Sequence, residues 1–150
     1  MIELIDPIIS SNKVDISTGL NVHYLEASKN NNNQPIALLL HGFPELSFSW
    51  RKIIPILAYE GFRVIAPDMR GYGLTSGGTK KYDTNISEYR LLNLTTDILS
   101  LISALKINKV DLLVGHDAGS SVAGTSALIR PDIFKSVVMM SAPFTGAPNI

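Results

Sequence analysis

The chain has 150 residues, 45% of them hydrophobic and 17% charged, which is the composition of a globular protein with one sizeable core. Its 13 basic and 13 acidic residues give a formal net charge of zero, so no excess of charge favours a nucleic-acid partner. The absence of cysteine excludes disulfides and thiolate metal sites.

The first residues, Met1 to Asp6, lack the basic region and long apolar core of a signal peptide. No apolar run approaches the length of a membrane span. We therefore expect a cytoplasmic protein that has no membrane partner.

The predicted elements begin with a hairpin, because runs rich in β-forming residues at 14–18 and 20–27 surround Gly19. His23 is expected on the surface of this hairpin. After a polar loop, residues 36–40 form a continuous apolar run, which is typical of a strand buried on both faces.

A helix is predicted next, with Pro55 either kinking it or delaying its start. Its apolar face recurs at helical spacing through Trp50, Ile53, Ile54, Leu57 and Ala58. Residues 62–66 follow as a buried strand. Asn85 and Glu88 then resemble a capping box. The helix after them carries its core face on Leu94, Ile98, Leu101, Ile102 and Leu105.

Two more strands are predicted, at 110–114 and 134–140, and both are expected to be buried. The helix between them carries Val122, Ala123, Ser126 and Ile129 and must stop near Pro131. Strands that alternate with helices predict an α/β fold, with a mostly parallel sheet covered by helices on both faces. We expect a single domain over residues 1–150.

The turn between the strand at 110–114 and the next helix reads Gly115-His116-Asp117-Ala118-Gly119. A sharp strand-to-helix turn strains its middle residue and needs small neighbours, so Asp117 is predicted to stand exposed above the sheet. The helix N-terminus favours its ionised, nucleophilic form. The alternative is that Asp117 only caps the helix.

A carboxylate at this place suits one class of reaction. Attack on an ester carbonyl would give an anhydride, whereas attack on an sp³ carbon gives an ester that water can cleave. Asp117 therefore points to an epoxide or an alkyl halide as substrate.

The loop His41-Gly42-Phe43-Pro44 follows a buried strand and should meet the Asp117 turn at the carboxyl ends of adjacent strands. The best pair of oxyanion donors is the backbone N–H of Phe43, in this loop, and the backbone N–H of Ala118, in the turn. Pro44 is expected to fix the path of the loop, and a cis bond before it would do so. The alternative is an ordinary strand-to-helix turn.

Four segments together carry a family resemblance: 41–45 with Trp50 and Arg51, 66–73 with Ser76, 114–117, and 141–144. The chain resembles the N-terminal half of an α/β-hydrolase of the epoxide hydrolase type, with an initial antiparallel hairpin. The resemblance implies Asp117 as nucleophile, the Phe43 and Ala118 amides as oxyanion hole, and Pro44 and Trp50 at the substrate. No metal site is recognised in the residues, and we expect no cofactor.

Ala118 departs from the family, which usually has Trp after the nucleophile. Haloalkane dehalogenases use that Trp with an Asn in the loop after His-Gly, where this chain has Phe43, so a dehalogenase of that type is disfavoured. A fluoroacetate-type dehalogenase remains an alternative. So does a non-catalytic binding module that keeps the hydrolase fold.

Members of the family also use a late His base, its supporting acid, and two cap tyrosines, none of which is recognised in these 150 residues. His41 is expected to fix its own loop, His116 to point away from the reacting carbon, and Asp68 to brace its loop with Arg70. We therefore expect a catalytically incomplete fragment, which can self-associate through an exposed edge strand at 134–140.

Overall fold

Six strands form one mixed sheet in the computed structural model, which describes residues 5–29, 33–78 and 86–142. Their spatial order is β1-β2-β4-β3-β5-β6. The strands are β1 (Ile9–Asp15), β2 (Asn21–Ala27), β3 (Ile36–Leu40), β4 (Arg63–Pro67), β5 (Leu112–His116) and β6 (Val137–Met140). The pairs β1–β2 and β2–β4 are antiparallel and the other three are parallel. The predicted hairpin and mostly parallel sheet are confirmed, but the first strand ends at Asp15, and most of the predicted segment 14–18 lies in the turn before β2.

Helices lie on both faces of this sheet: α1 (Ile53–Tyr59), α2 (Leu91–Ala104) and α3 (Ala118–Ile129). The central strand β3 shows how the two cores divide, because successive side chains point to opposite faces. Ala37 and Leu39 belong to the cluster that includes Ile54 of α1. Leu38 and Leu40 belong to the cluster formed with α2 and α3. A strand buried on both faces must therefore be apolar at every position, as β3 is.

Pro55 delays the start of α1 and does not kink it. A 3-10 helix at Ser47–Trp50 comes first, and α1 begins only at Ile53. Pro55 then lies in the first turn, where a backbone N–H has no partner within the helix, so the missing donor does no harm. The predicted capping box cannot be followed, since Asn85 lies outside the described residues. Arg90 occupies the N-cap of α2 and makes no side-chain cap hydrogen bond.

The last strand is shorter and more exposed than predicted. β6 begins at Val137, and Val138 is 44% exposed. The N–H groups of Ile133 and Phe134 both bond to Arg130 O, which holds them in the turn after α3. Phe134 therefore forms only an isolated bridge to Val110. β6 lies at an edge of the described sheet, and self-association through it stays a prediction.

Two expectations about the first hairpin and its neighbours are wrong. His23 is only 6% exposed, because β2 is an inner strand covered on both faces. Asp68 bonds to His23 and not to Arg70. Arg70 reaches the other way, to Asp97 on α2.

No helix among the described residues is long and apolar enough to cross a membrane.

Candidate active site

Asp117 is the single residue between the end of β5 and the start of α3. Its φ of 52° and ψ of −119° lie outside the regions that L-residues ordinarily adopt, so its backbone is strained. A Cβ on Gly115 would lie 2.3 Å from Gly119 O, and one on Gly119 would lie 2.4 Å from Leu40 O. Only glycine leaves room for α3 to fold back so tightly against β5. The predicted sharp turn with Asp117 at its tip is confirmed.

The loop after β3 lies directly against this turn. The Phe43 N–H donates to Asp117 Oδ1 over 3.0 Å. A Cβ on Gly42 would lie 2.5 Å from the Cβ of Asp117, so the loop approaches this closely only because residue 42 is glycine. The peptide bond between Phe43 and Pro44 is cis, as expected from the sequence. The structure thus brings together the loop and the turn that the sequence placed at adjacent strand ends.

Backbone N–H groups set the charge state of Asp117. Hydrogen bonds from the N–H of Phe43 and then of Ala118 hold the pKa of the Asp117 carboxyl below its usual value. The side chain is partly exposed, so burial opposes its charge less than these hydrogen bonds favour it. Asp117 is therefore ionised at neutral pH, as a nucleophile must be.

His41 fixes the loop that carries Phe43. It is fully buried, its Nδ1 lies 2.9 Å from Gly42 O, and its Nε2 lies 3.0 Å from Met69 N. The Met69 N–H must donate, so Nε2 accepts and Nδ1 carries the proton that bonds to Gly42 O. Burial lowers the pKa of His41 and keeps the ring neutral. Its expected role in holding its own loop is confirmed.

Glu45 and His116 form a contact that the sequence did not indicate. Glu45 Oε2 lies 2.8 Å from His116 Nδ1 and also accepts the Gly42 N–H at 3.2 Å. The hydrogen bond with His116 lowers the pKa of Glu45. One carboxylate therefore ties the loop after β3 to the last residue of β5. The two residues are 71 positions apart, so only the parallel register of β3 and β5 could have revealed the pair.

The two residues predicted to contact substrate lie in different surroundings. Pro44 is exposed beside Phe43, whose side chain is 69% exposed. Trp50 is only 8% exposed and packs in the cluster with Leu39 and Ile54. Its indole N–H is buried without a partner among the described residues. Both roles stay predictions, and the burial of Trp50 counts against its role.

The described residues contain no cluster of His, Cys, Asp or Glu that could hold a metal ion.

The family model for the alpha/beta hydrolase fold matches residues 35–149, which cover the loop after β3, the strained turn and most of the sheet. This chain belongs to the α/β-hydrolase family. In this fold the nucleophile elbow is a sharp turn between a strand and the following helix.

Several named relatives are epoxide hydrolases. The chain is 43% identical over 131 residues to an epoxide hydrolase of Caballeronia sordidicola, covering 87% of this chain and 37% of that one. It is 40% identical over 128 residues to epoxide hydrolase B of Mycobacterium tuberculosis, covering 85% and 34%. The chain thus spans about a third of the length of these curated relatives.

Solved structures of plant enzymes have the same fold. The crystal structure of an epoxide hydrolase from Vigna radiata superposes with a TM-score of 0.82 at 38% identity, over 95% of this chain and 43% of that one. Epoxide hydrolase I from potato, Solanum tuberosum, gives a TM-score of 0.82 at 36% identity, over the same shares of the two chains.

Proposed function

We propose that this chain carries the nucleophile and the oxyanion donors of an epoxide hydrolase, in which Asp117 opens an epoxide through a covalent alkyl ester. The observation that carries the proposal is the hydrogen bond from Phe43 N to Asp117 Oδ1 at the strained turn. Relatives that are named epoxide hydrolases support the choice of substrate class.

The first step is attack on one of the two epoxide carbons. Because Oδ1 is held by Phe43, the other carboxylate oxygen, Oδ2, is the one that attacks. A bond forms from Oδ2 to the carbon, and the carbon–oxygen bond of the epoxide breaks. The released alkoxide takes a proton from an acid or from water, which completes a hydroxyalkyl ester.

The second step returns the free carboxylate. Water adds to Cγ of the Asp117 ester, and negative charge develops on Oδ1. The Phe43 N–H already points at Oδ1, so this donor needs no rearrangement to stabilise the tetrahedral intermediate. Loss of the diol regenerates Asp117. The donor that lowers the pKa of the resting carboxylate thus also stabilises the charge that develops later.

Ester formation should be faster than ester hydrolysis in the 150-residue chain. Hydrolysis needs a base, which typically contributes about 10²–10⁴-fold. His41 has both ring nitrogens engaged, and His116 bonds to Glu45. His23 bonds to Ser11 and Asp68, away from Asp117. We therefore expect the ester to accumulate rather than turn over rapidly.

Intact-mass measurement after reaction with styrene oxide or with fluoroacetate tests the substrate class. Ring opening retains every atom, so an epoxide adds its whole mass, whereas displacement of fluoride adds only the carboxymethyl group. We expect one whole epoxide per chain and no carboxymethyl adduct. The Asp117→Asn variant should gain neither. A carboxymethyl adduct without an epoxide adduct would replace the proposed activity by dehalogenation.

A further inference from the structure

A second arrangement of Ser, His and Asp lies away from the nucleophile elbow, on the side of the sheet formed by β1 and β2. His23 Nδ1 lies 2.7 Å from Asp68 Oδ2, and His23 Nε2 lies 2.8 Å from Ser11 Oγ. His23 and Asp68 are 6% and 2% exposed. Ser11, on β1, is exposed. The buried pair therefore connects to a hydroxyl that a ligand in solvent can reach.

The hydrogen bonds around Asp68 decide where the protons lie. Asp68 Oδ2 accepts the Leu74 N–H at 3.0 Å, and Oδ1 accepts the Ser47 N–H at 2.8 Å. Burial by itself would raise the pKa of Asp68, but these hydrogen bonds leave the pKa below its usual value. An ionised Asp68 can only accept, so His23 Nδ1 carries the proton of that contact.

The other ring nitrogen then faces Ser11 as an acceptor. In the neutral imidazole only one nitrogen carries hydrogen, so Nε2 presents a lone pair and the Ser11 hydroxyl donates to it. Carboxylate, Nδ1–H, Nε2 and hydroxyl in this order are the arrangement in which a histidine activates a serine nucleophile.

An open cavity of about 460 Å³ lies beside these three residues. Ser11, His23 and Asp68 line it together with mostly apolar neighbours, among them Leu25, Leu46, Phe48 and Leu74. Asp117, Phe43 and Ala118 are not part of its lining. The cavity offers room for a small uncharged acyl chain next to the hydroxyl.

We propose that Ser11, with His23 as base and Asp68 orienting it, is a second nucleophile that accepts the acyl group of small apolar esters. Ser11 Oγ forms a bond to the carbonyl carbon, and the bond from that carbon to the leaving oxygen breaks. The Ser11 proton passes to His23 Nε2 and from there to the leaving oxygen. Water, activated by the same nitrogen, then cleaves the acyl-serine to a carboxylic acid and free Ser11.

Diisopropyl fluorophosphate and p-nitrophenyl butyrate are suitable probes, because each places an apolar group next to an electrophilic centre. Both are tested on the Asp117→Asn protein, so that the elbow contributes nothing. Peptide mapping should find the phosphoryl label on Ser11, and Ser11→Ala should remove that label. Ser10→Ala is the matched control, since the neighbouring Ser10 donates to Glu26 O and lies outside the cavity; it should label at the unchanged rate.

The role of His23 is tested by His23→Asn, whose amide can still donate to Asp68 but offers no base at the Nε2 position. The rate of Ser11 labelling should fall by about 10²-fold or more. Equal labelling in this folded variant, or no label on Ser11 in the folded parent protein, overturns the proposal.

A second measurement leaves the buried pair intact. The chain has no cysteine, so Ser11→Cys and Ser10→Cys each introduce a single thiol. If His23 acts as a base, the thiol at residue 11 should react with iodoacetamide at least about 10-fold faster than the thiol at residue 10. Equal rates would again overturn the proposal, whatever the stability of His23→Asn.

Discussion

Asp117 and Asp68 each follow a parallel strand of the same sheet, and hydrogen bonds lower the pKa of both. Asp117 is partly exposed, and its carboxylate is held by backbone N–H groups of Ala118, in the strained turn, and of Phe43, in the adjacent loop. Asp68 is 2% exposed, and donors from three segments occupy both of its oxygens. The accessible carboxylate of Asp117 is thus suited to forming a covalent bond. The carboxylate of Asp68, whose oxygens are both occupied by hydrogen bonds, holds other groups in position.

Replacing Asp117, the proposed nucleophile, should have the largest effect. Asp117→Asn should slow the consumption of styrene oxide by roughly 10⁴-fold or more, because no carboxylate remains to attack. The fold should be retained, since Asn tolerates a positive φ better than most residues. Circular dichroism checks that the fold is retained, and the rate of styrene oxide loss checks the effect on reaction. Unchanged epoxide loss in the variant would mean that Asp117 is not the nucleophile.

Gly42→Ala tests whether close approach of the loop matters as much as the carboxylate itself. The new Cβ would lie 2.5 Å from Asp117 Cβ, so the loop must shift and the Phe43 donor must move away from Oδ1. We expect formation of the Asp117 ester to slow by about 10²-fold.

Gly78→Ala is the matched control for this loop variant, because its added Cβ meets no atom closer than 3.7 Å. Ester formation in it should match the parent rate. Equal slowing in both variants would show that the Gly42 contact has no special role.

Asp68→Asn tests whether the buried Asp68 carboxylate has a structural role, so its effect should appear in the free energy of unfolding. The loss of charge-assisted hydrogen bonds at a buried site should lower the free energy of unfolding by about 2 kcal/mol, a factor of roughly 30 in the folding equilibrium. The measurement is urea unfolding at neutral pH. The rate of ester formation at Asp117 should change little as long as the variant remains folded.

Asp68→Asn should also change how the free energy of unfolding depends on pH. The pKa of Asp68 is lower in the folded chain than its usual value, so its ionised form contributes stability above that value. This contribution is lost as the pH falls below about 4 and through the lowered pKa. Unfolding of the parent protein should therefore become easier over that window, more steeply than for Asp68→Asn. Parallel curves for the two proteins would contradict the role of Asp68.

Glu45→Gln should have the smallest effect. Its carboxylate positions the Gly42 N–H and the His116 ring but does not touch Asp117, so we expect a loss of about 10-fold in the rate of ester formation. Glu60→Gln, at the C-terminal end of α1, is the control and should leave the rate unchanged. A loss as large as that of Asp117→Asn would assign Glu45 a part in the chemistry itself.

The sequence predicted what depends on local pattern. Apolar runs identified β3 to the residue, and glycines around Asp117 indicated the strained turn. It could not predict contacts that depend on strand order. His23 looked like a surface residue of a hairpin, because nothing local reveals that β2 pairs with β4 and faces Asp68.

The apolar pattern of β6 did not distinguish it from a central strand, and its place at a sheet edge was expected only from the family resemblance. Val137 to Met140 are as apolar as β3, yet β6 has a neighbour on one side only within the described sheet. Glu45 and His116 meet because β3 and β5 are adjacent. The residues of neither strand predict that the two strands pair.

Peptide mapping of the protein after a single exposure to styrene oxide is the most direct test that Asp117 is the nucleophile. The peptide that contains Asp117 should carry the whole mass of the epoxide as an ester on that side chain, and alkaline hydroxylamine should remove it. An adduct on another side chain with Asp117 unmodified, in protein shown to be folded, would contradict this mechanism.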